Sequence, residues 1–470
     1  MFNLFSNPLY LFGLVPLTVL IKDILRHWRA GVIVIIFWLY FQDVIRKLLP
    51  GQPPQVMLIT DALVFLTYLS FFVAFCLKPK KIWKPPFIIG FLLFAGWSII
   101  ESFNPQLPNL LFAGLGLHTY IWYVPLLFLG YYMFEDKESL LKFLRILVYT
   151  SIPLFLVAVY QYQFYDTGSP FVRPLLETWQ FHAYAPGQDA EGIKFITSVF
   201  AQATRYARFS LLLFFLGLGL WFYPKNKLTH KILLFISTLS AALGIFLSGA
   251  RIAMFLLILG AILWAGFYFK KQILKILMLR LTRTLVPILA ILLIVSFFSI
   301  FGFKDIAGFF IDGFKNFKGN IIEIRVAAIP FAIQNSGLLG SGTGSLSQGS
   351  NYIFGGEQWI QQISSEKGAG ASEDIIYKVW FDLGFIGVLL FLIFYSQMFI
   401  GWLKEVIRSK GTPLYSLSFS LFFFFLLMTF WFVKGHQIFG ETITQIHFWF
   451  FMGVLFRLKY LASNQQNEKI

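Results

Sequence analysis

Apolar residues along this chain come in long unbroken blocks rather than in alternating or soluble-helix patterns. Blocks such as Met57–Leu77, Pro86–Ile100, Arg251–Phe269 and Pro413–Val433 contain few or no charges. At 1.5 Å per residue, a block of roughly 20 residues matches the ~30 Å hydrocarbon thickness of a bilayer. The pattern predicts helices near 8–21, 31–48, 57–77, 85–102, 109–134, 140–164, 204–223, 230–248, 251–269, 284–303, 375–402, 413–433 and 441–457. The expected fold is an all-α polytopic membrane protein of about 12–13 transmembrane helices. If the first block spans, the N-terminus lies outside and the C-terminus inside; if it lies in the interface, both ends lie inside.

Two polar stretches interrupt the blocks, 166–204 and 304–374, and both fall on the outer side under either count. The second is a polar island of about seventy residues. It opens amphipathically, crosses a glycine-serine run at Gly340–Gly349, and ends in Ser372, Glu373 and Asp374 at the mouth of the next apolar block. No internal repeat and no soluble domain stands out, so residues 1–470 form a single polytopic unit with 166–204 and 304–374 as its extracytoplasmic loops.

Composition agrees with the pattern. The chain is 58% hydrophobic and 13% charged, with a mean hydropathy of +0.73; soluble domains carry about 25% charged residues. The net charge of +16 would suggest nucleic acid in a soluble protein. Here most of the Lys and Arg cluster between alternate blocks: Lys22, Arg26 and Arg29; Lys78 to Lys84; Lys137 to Arg145; Lys225 to Lys231; Lys270 to Arg283; Lys404 to Lys410; and Arg457 to Lys469. The positive-inside rule places these loops in the cytoplasm, so the basic balance sets topology and implies no nucleic-acid partner. The one cysteine, Cys76, excludes a disulfide framework and a thiolate metal site. The first apolar run lacks a basic leader and a small-residue cleavage site, the marks of a cleavable signal peptide.

The candidate chemistry lies at the outer boundary. Arg205 and Arg208 are spaced i,i+3 at the outer end of a predicted helix, so both guanidinium groups share one face. Arg251 closes the short turn Ser248-Gly-Ala-Arg, and Arg325 starts an amphipathic stretch leading to Gly340. One helix-end arginine is commonly a snorkelling cation. Four on the non-cytoplasmic side suit a diphosphate, whose oxygens a guanidinium fork binds bidentately. Glu373 and Asp374 read either as helix N-terminal carboxylates behind a Ser372 cap or as a general base. Lys378, four residues after Asp374, reads as its ion-pair partner or as a phosphate ligand. The run Gly340-Ser-Gly-Thr-Gly-Ser lacks the Gly-Lys-Ser/Thr end of a nucleotide loop. The six histidines show no metal-binding spacing, and His182 is the only one singled out as a weak candidate.

Three stretches together resemble the family of O-antigen ligases and Wzy-type polysaccharide polymerases. They are Leu247-Ser-Gly-Ala-Arg251 before a helix, Arg325 running to the glycine-rich turn at Gly340, and Glu373-Asp374 followed by Asp382-Leu-Gly384 and Gly387. The likeness covers roughly residues 195–400. It implies a GT-C-like membrane glycosyltransferase at the outer face of a bacterial cytoplasmic (inner) membrane, needing no metal and no cofactor. The donor it implies is a glycan on undecaprenyl diphosphate, with a chain-length regulator as a further partner. Arg205, Arg208, Arg251 and Arg325 would neutralise the leaving diphosphate, and Glu373 or Asp374 would accept the proton of the attacking hydroxyl. The ligases carry histidine and then asparagine where this chain has Glu373 and Asp374, which turns the expectation towards a polymerase. The alternatives are a ligase moving glycan onto a lipid or protein acceptor, and a transporter of an anion or a lipid-linked sugar.

Overall fold

The computed structural model describes residues 19–49, 55–77, 82–165, 196–268, 336–346, 375–432 and 437–467. Residues 8–18 of the helix predicted at 8–21, the helix predicted at 284–303, residues 166–195 of the first outer loop, and the second outer loop apart from 336–346 lie outside this set. Every regular element within it is helical. The principal helices are α1 (Trp28–Leu48), α2 (Val56–Leu77), α3 (Ile88–Ile100), α4 (Leu110–Leu117), α5 (Leu126–Tyr132), α6 (Lys137–Tyr149), α7 (Ser151–Gln163), α8 (Ala203–Trp221), α9 (Leu228–Leu247), α10 (Arg251–Tyr268), α11 (Ile375–Ser409), α12 (Tyr415–Phe432), α13 (Gln437–Gly440) and α14 (Thr442–Asn467). Eight helical segments among the described residues are long and apolar enough to cross a membrane, and Ile88–Phe103 and Tyr415–Phe430 are shorter apolar helices. The chain is a polytopic helical membrane protein.

Two predicted helices are each broken in two, and proline explains both breaks. The block 109–134 divides into α4, a π-helical turn at His118–Trp122, and α5. Pro125 has no N–H to donate to the Ile121 carbonyl, and its ring crowds that carbonyl. The block 140–164 divides at Thr150 into α6 and α7, with Pro153 doing the same to the Tyr149 carbonyl. At the start of α6, Asp136 caps the helix by accepting the Ser139 N–H at 2.7 Å. That donation holds the Asp136 carboxyl below the usual carboxylate range.

Helix α8 is the central element. Its buried residues lie on all faces, and it packs against α9, α12 and α6. The α5–α14 contact is close because Gly130 and Gly453 face one another's partner backbones. A Cβ on Gly130 would overlap the Phe450 carbonyl oxygen, and one on Gly453 the Leu127 carbonyl oxygen. Small residues at a helix crossing let two backbones touch where lipid gives no hydrophobic drive for association.

The two ends of the bundle differ in charge as the basic loops require. Arg29 donates to Glu135 and Arg145 to Asn226, each at 2.6 Å. Three of the predicted cytoplasmic segments therefore share one end. Asp43 near the end of α1, Asp61 near the start of α2, and Arg205, Lys378 and Glu441 at or near helix starts lie at the other. Asp61 is five residues into α2, roughly 8 Å from its first residue.

Candidate functional site

The end of the bundle opposite the basic loops carries two polar clusters. The first is built on α8. Arg205 Nε lies 2.5 Å from Glu441 Oε1, and its Nη1 lies 3.5 Å from Asp43 Oδ2. Arg208 pairs with the other Glu441 oxygen and donates to Thr444 Oγ1 at 3.2 Å. Asp43 also accepts the Ala201 N–H at 2.7 Å. Lys47, one turn beyond Asp43, donates to Thr197 Oγ1 at 2.6 Å. Arg205 and Arg208 are 8% and 3% exposed, so both are buried cations held by carboxylates on two other helices. They line a narrow cleft with Phe209, Leu212, Phe424, Met428, Ile443, Thr444 and His447.

The second cluster is built on α11, which is kinked at Gly384 (φ 66°, ψ −169°). A kink breaks the i→i−4 ladder and frees backbone groups that must find other partners. Here Ser341 N–H donates to the Phe381 carbonyl at 2.8 Å, Trp97 Nε1–H to the Leu383 carbonyl at 2.9 Å, and Ile386 N–H to the Leu338 carbonyl at 3.4 Å. The glycine-rich turn therefore docks into the kink. Asp382 sits beneath it, fully buried, with Tyr120 Oη–H donating at 2.8 Å, Ser345 Oγ–H at 2.7 Å and Leu346 N–H at 2.9 Å. Lys378 Nζ lies 3.1 Å from Asp382 Oδ2 and donates to the Leu346 carbonyl at 2.9 Å.

The expected site is rearranged by these contacts. Arg205 and Arg208 do share a face and come together. Lys378 pairs with Asp382, four residues after it; Asp374, the expected partner four before, lies outside the described residues. Sealed from solvent, Lys378 clamps the glycine-rich turn to α11. Arg251 starts α10 and is partly exposed. It lies at the same end as Arg205, since Gly244, near the end of α9, abuts Tyr206, but it is not among the residues lining the cleft beside Arg208. Arg325, Glu373 and Asp374 lie outside the described residues, as does His182.

Two charged groups escaped the sequence reading, Asp43 and Glu441, and so did the pairing of Asp61 with His118. Glu441 lies on the chain between two apolar blocks, and nothing local marks it as the counter-ion of residues 233 and 236 positions earlier. His118 Nε2 lies 3.1 Å from Asp61 Oδ1, a pairing across 57 residues with no motif. The detectable signal was the cost of charge: an acid inside an apolar block needs a partner. No group of three or more His, Cys, Asp or Glu able to hold a metal occurs among the described residues. Chemically, the end offers a preorganised pair of guanidinium groups and, nearby, an imidazole–carboxylate pair. No protein-family model matches the chain, and no curated protein does.

Proposed function

We propose that the protein is a membrane glycosyltransferase of the polymerase type, GT-C-like in fold, working at the outer face of a bacterial cytoplasmic membrane. It transfers a glycan from undecaprenyl diphosphate onto a second lipid-linked repeat unit. The observation that supports this reading is the pair Arg205 and Arg208. They stand side by side at the end of the bundle opposite the basic loops, and Glu441 holds both in place. Cations fixed in advance stabilise the charge that develops on a leaving diphosphate without reorganising during the reaction. A guanidinium has five N–H donors in a planar fork, so one edge can engage a carboxylate while another engages phosphate.

In this reading Arg205 and Arg208 bind the diphosphate. Arg251, at the same end, and Arg325 extend the cationic surface, and Lys378 positions the turn that borders it. Purified full-length protein with undecaprenyl-diphosphate-linked repeat units should produce a ladder of lengthened products on a gel. Arg208→Lys keeps the charge but loses the fork, and should lower transfer ~10-fold or more while the protein still folds. A single transfer onto a different lipid acceptor would make the protein a ligase. No transfer with units from the native source would overturn the glycosyltransferase reading.

A further inference from the structure

One connected group of side chains at the outer end has no role in diphosphate binding. His118 opens the π-helical turn, and its Nε2 contacts Asp61 Oδ1 at 3.1 Å. Tyr123, one turn later, donates its phenol to the same Asp61 oxygen and lies 3.3 Å from Thr442 Oγ1. Thr442 follows Glu441, the carboxylate that holds Arg205 and Arg208. Imidazole, carboxylate, phenol and the arginine pair thus form one series across α2, the His118–Trp122 turn, α14 and α8.

Exposure separates this group from the structural ion pairs around it. Lys378 and Asp382 are sealed, with side-chain exposures of 2% and 0%. The His118 and Asp61 side chains retain 35% and 26%, although both stand within the apolar part of the chain. A group kept only to join helices would gain by burial, since an open ion pair near lipid is worth little and is costly to hydrate. The imidazole is also oriented. Asp61 fixes the proton on Nε2, which leaves the Nδ1 lone pair as the acceptor, and no described residue hydrogen-bonds Nδ1. The π-turn that presents it is a rare conformation found often at functional sites.

We propose that His118, positioned by Asp61, is the proton acceptor of the transfer reaction in place of Glu373 or Asp374, which lie outside the described residues. This role rests on the glycosyltransferase reading above. The acceptor hydroxyl oxygen attacks the anomeric carbon of the donor, and a new C–O bond forms. The C–O bond to the diphosphate breaks, and its electron pair leaves with the phosphate, beside Arg205 and Arg208. The hydroxyl proton passes to Nδ1 of His118, and Asp61 balances the imidazolium until water removes the proton. The groups facing His118 are Asp61 and Tyr123, with Trp122 stacked at 6.1 Å and Glu441 beyond Thr442.

The test uses full-length protein in nanodiscs with undecaprenyl-diphosphate-linked repeat units. His118→Gln should lower kcat ~10²–10⁴-fold, the usual worth of a general base, with donor KM nearly unchanged. His118→Gly should regain part of that activity when imidazole is added to the buffer. Asp61→Asn should lower kcat less than His118→Gln. If wild type elongates the glycan and His118→Gln keeps its kcat, the role is overturned while the proposed function stands. The same holds if His118→Gly melts like wild type and imidazole restores nothing. A wild type that transfers no glycan overturns the function itself, and this role with it.

Discussion

Burying an arginine costs several kcal/mol of lost hydration unless acceptors are built around it. Asp43, Glu441 and Thr444 supply those acceptors for Arg205 and Arg208. Glu441 serves both arginines and separates two like charges that share a helix face. Glu441→Gln should therefore leave two buried guanidinium groups repelling each other and cost about 3–5 kcal/mol. The midpoint of thermal unfolding in detergent reads this directly, and a near-unchanged midpoint would mean that the arginines find their compensation elsewhere. The i,i+3 spacing that brings Arg205 and Arg208 together was legible in ten residues of sequence. Their counter-ion was not, because a contact across more than 200 residues leaves no local periodicity. Lys378 shows the same limit. Helical geometry allows a partner four residues before or after it, and only the docked turn selects Asp382.

At the scale of elements, the glycine-rich turn and the Gly384 kink form one unit. Gly340, Gly342 and Gly344 all have positive φ, and the turn fills the gap between the kink and the start of α4. Two of its neighbours separate strain from close contact. Gly337 has φ +57° with nothing near its missing side chain, whereas a Cβ on Gly344 would overlap the Phe112 carbonyl oxygen and the Gly116 backbone. Gly337→Ala should cost only the left-handed penalty of roughly 1–2 kcal/mol. Gly344→Ala should cost clearly more, because helix backbone has to move. Equal shifts in unfolding midpoint would contradict the tight docking of this turn. The run Gly340-Ser-Gly-Thr-Gly-Ser lacks a nucleotide-loop ending in sequence, and its use as a docking segment depends on a kink more than thirty residues away.

At the scale of the whole molecule, the charge pattern and the packing specify the same orientation. Among the described residues, segments rich in Lys and Arg meet at one end, with Arg29 on Glu135 and Arg145 on Asn226. The buried acids and their cations gather at the other. With Cys76 replaced by serine, Gln106→Cys should react with a membrane-impermeant thiol reagent in intact cells. Gly411→Cys should react only after permeabilisation. Reversed labelling would invert the bundle and place the arginine cluster on the wrong side for an externalised lipid-linked donor.

What the sequence determined by itself is the membrane environment and the approximate limits of most of the described apolar helices, together with an expected sidedness from the basic loops. Helix length is matched to bilayer thickness, and basic loops resist translocation; both are properties of contiguous residues. What only the tertiary structure decided is which charges meet. Asp43 and Glu441 come to the arginines and Asp382 to Lys378, because burial in a low-dielectric interior makes pairing obligatory without saying which partner supplies it; Asp61 meets His118 where both side chains stay part-exposed. That choice belongs to the packing of α1, α2, α8, α11 and α14, and with it the chemistry that the outer end of the bundle can perform.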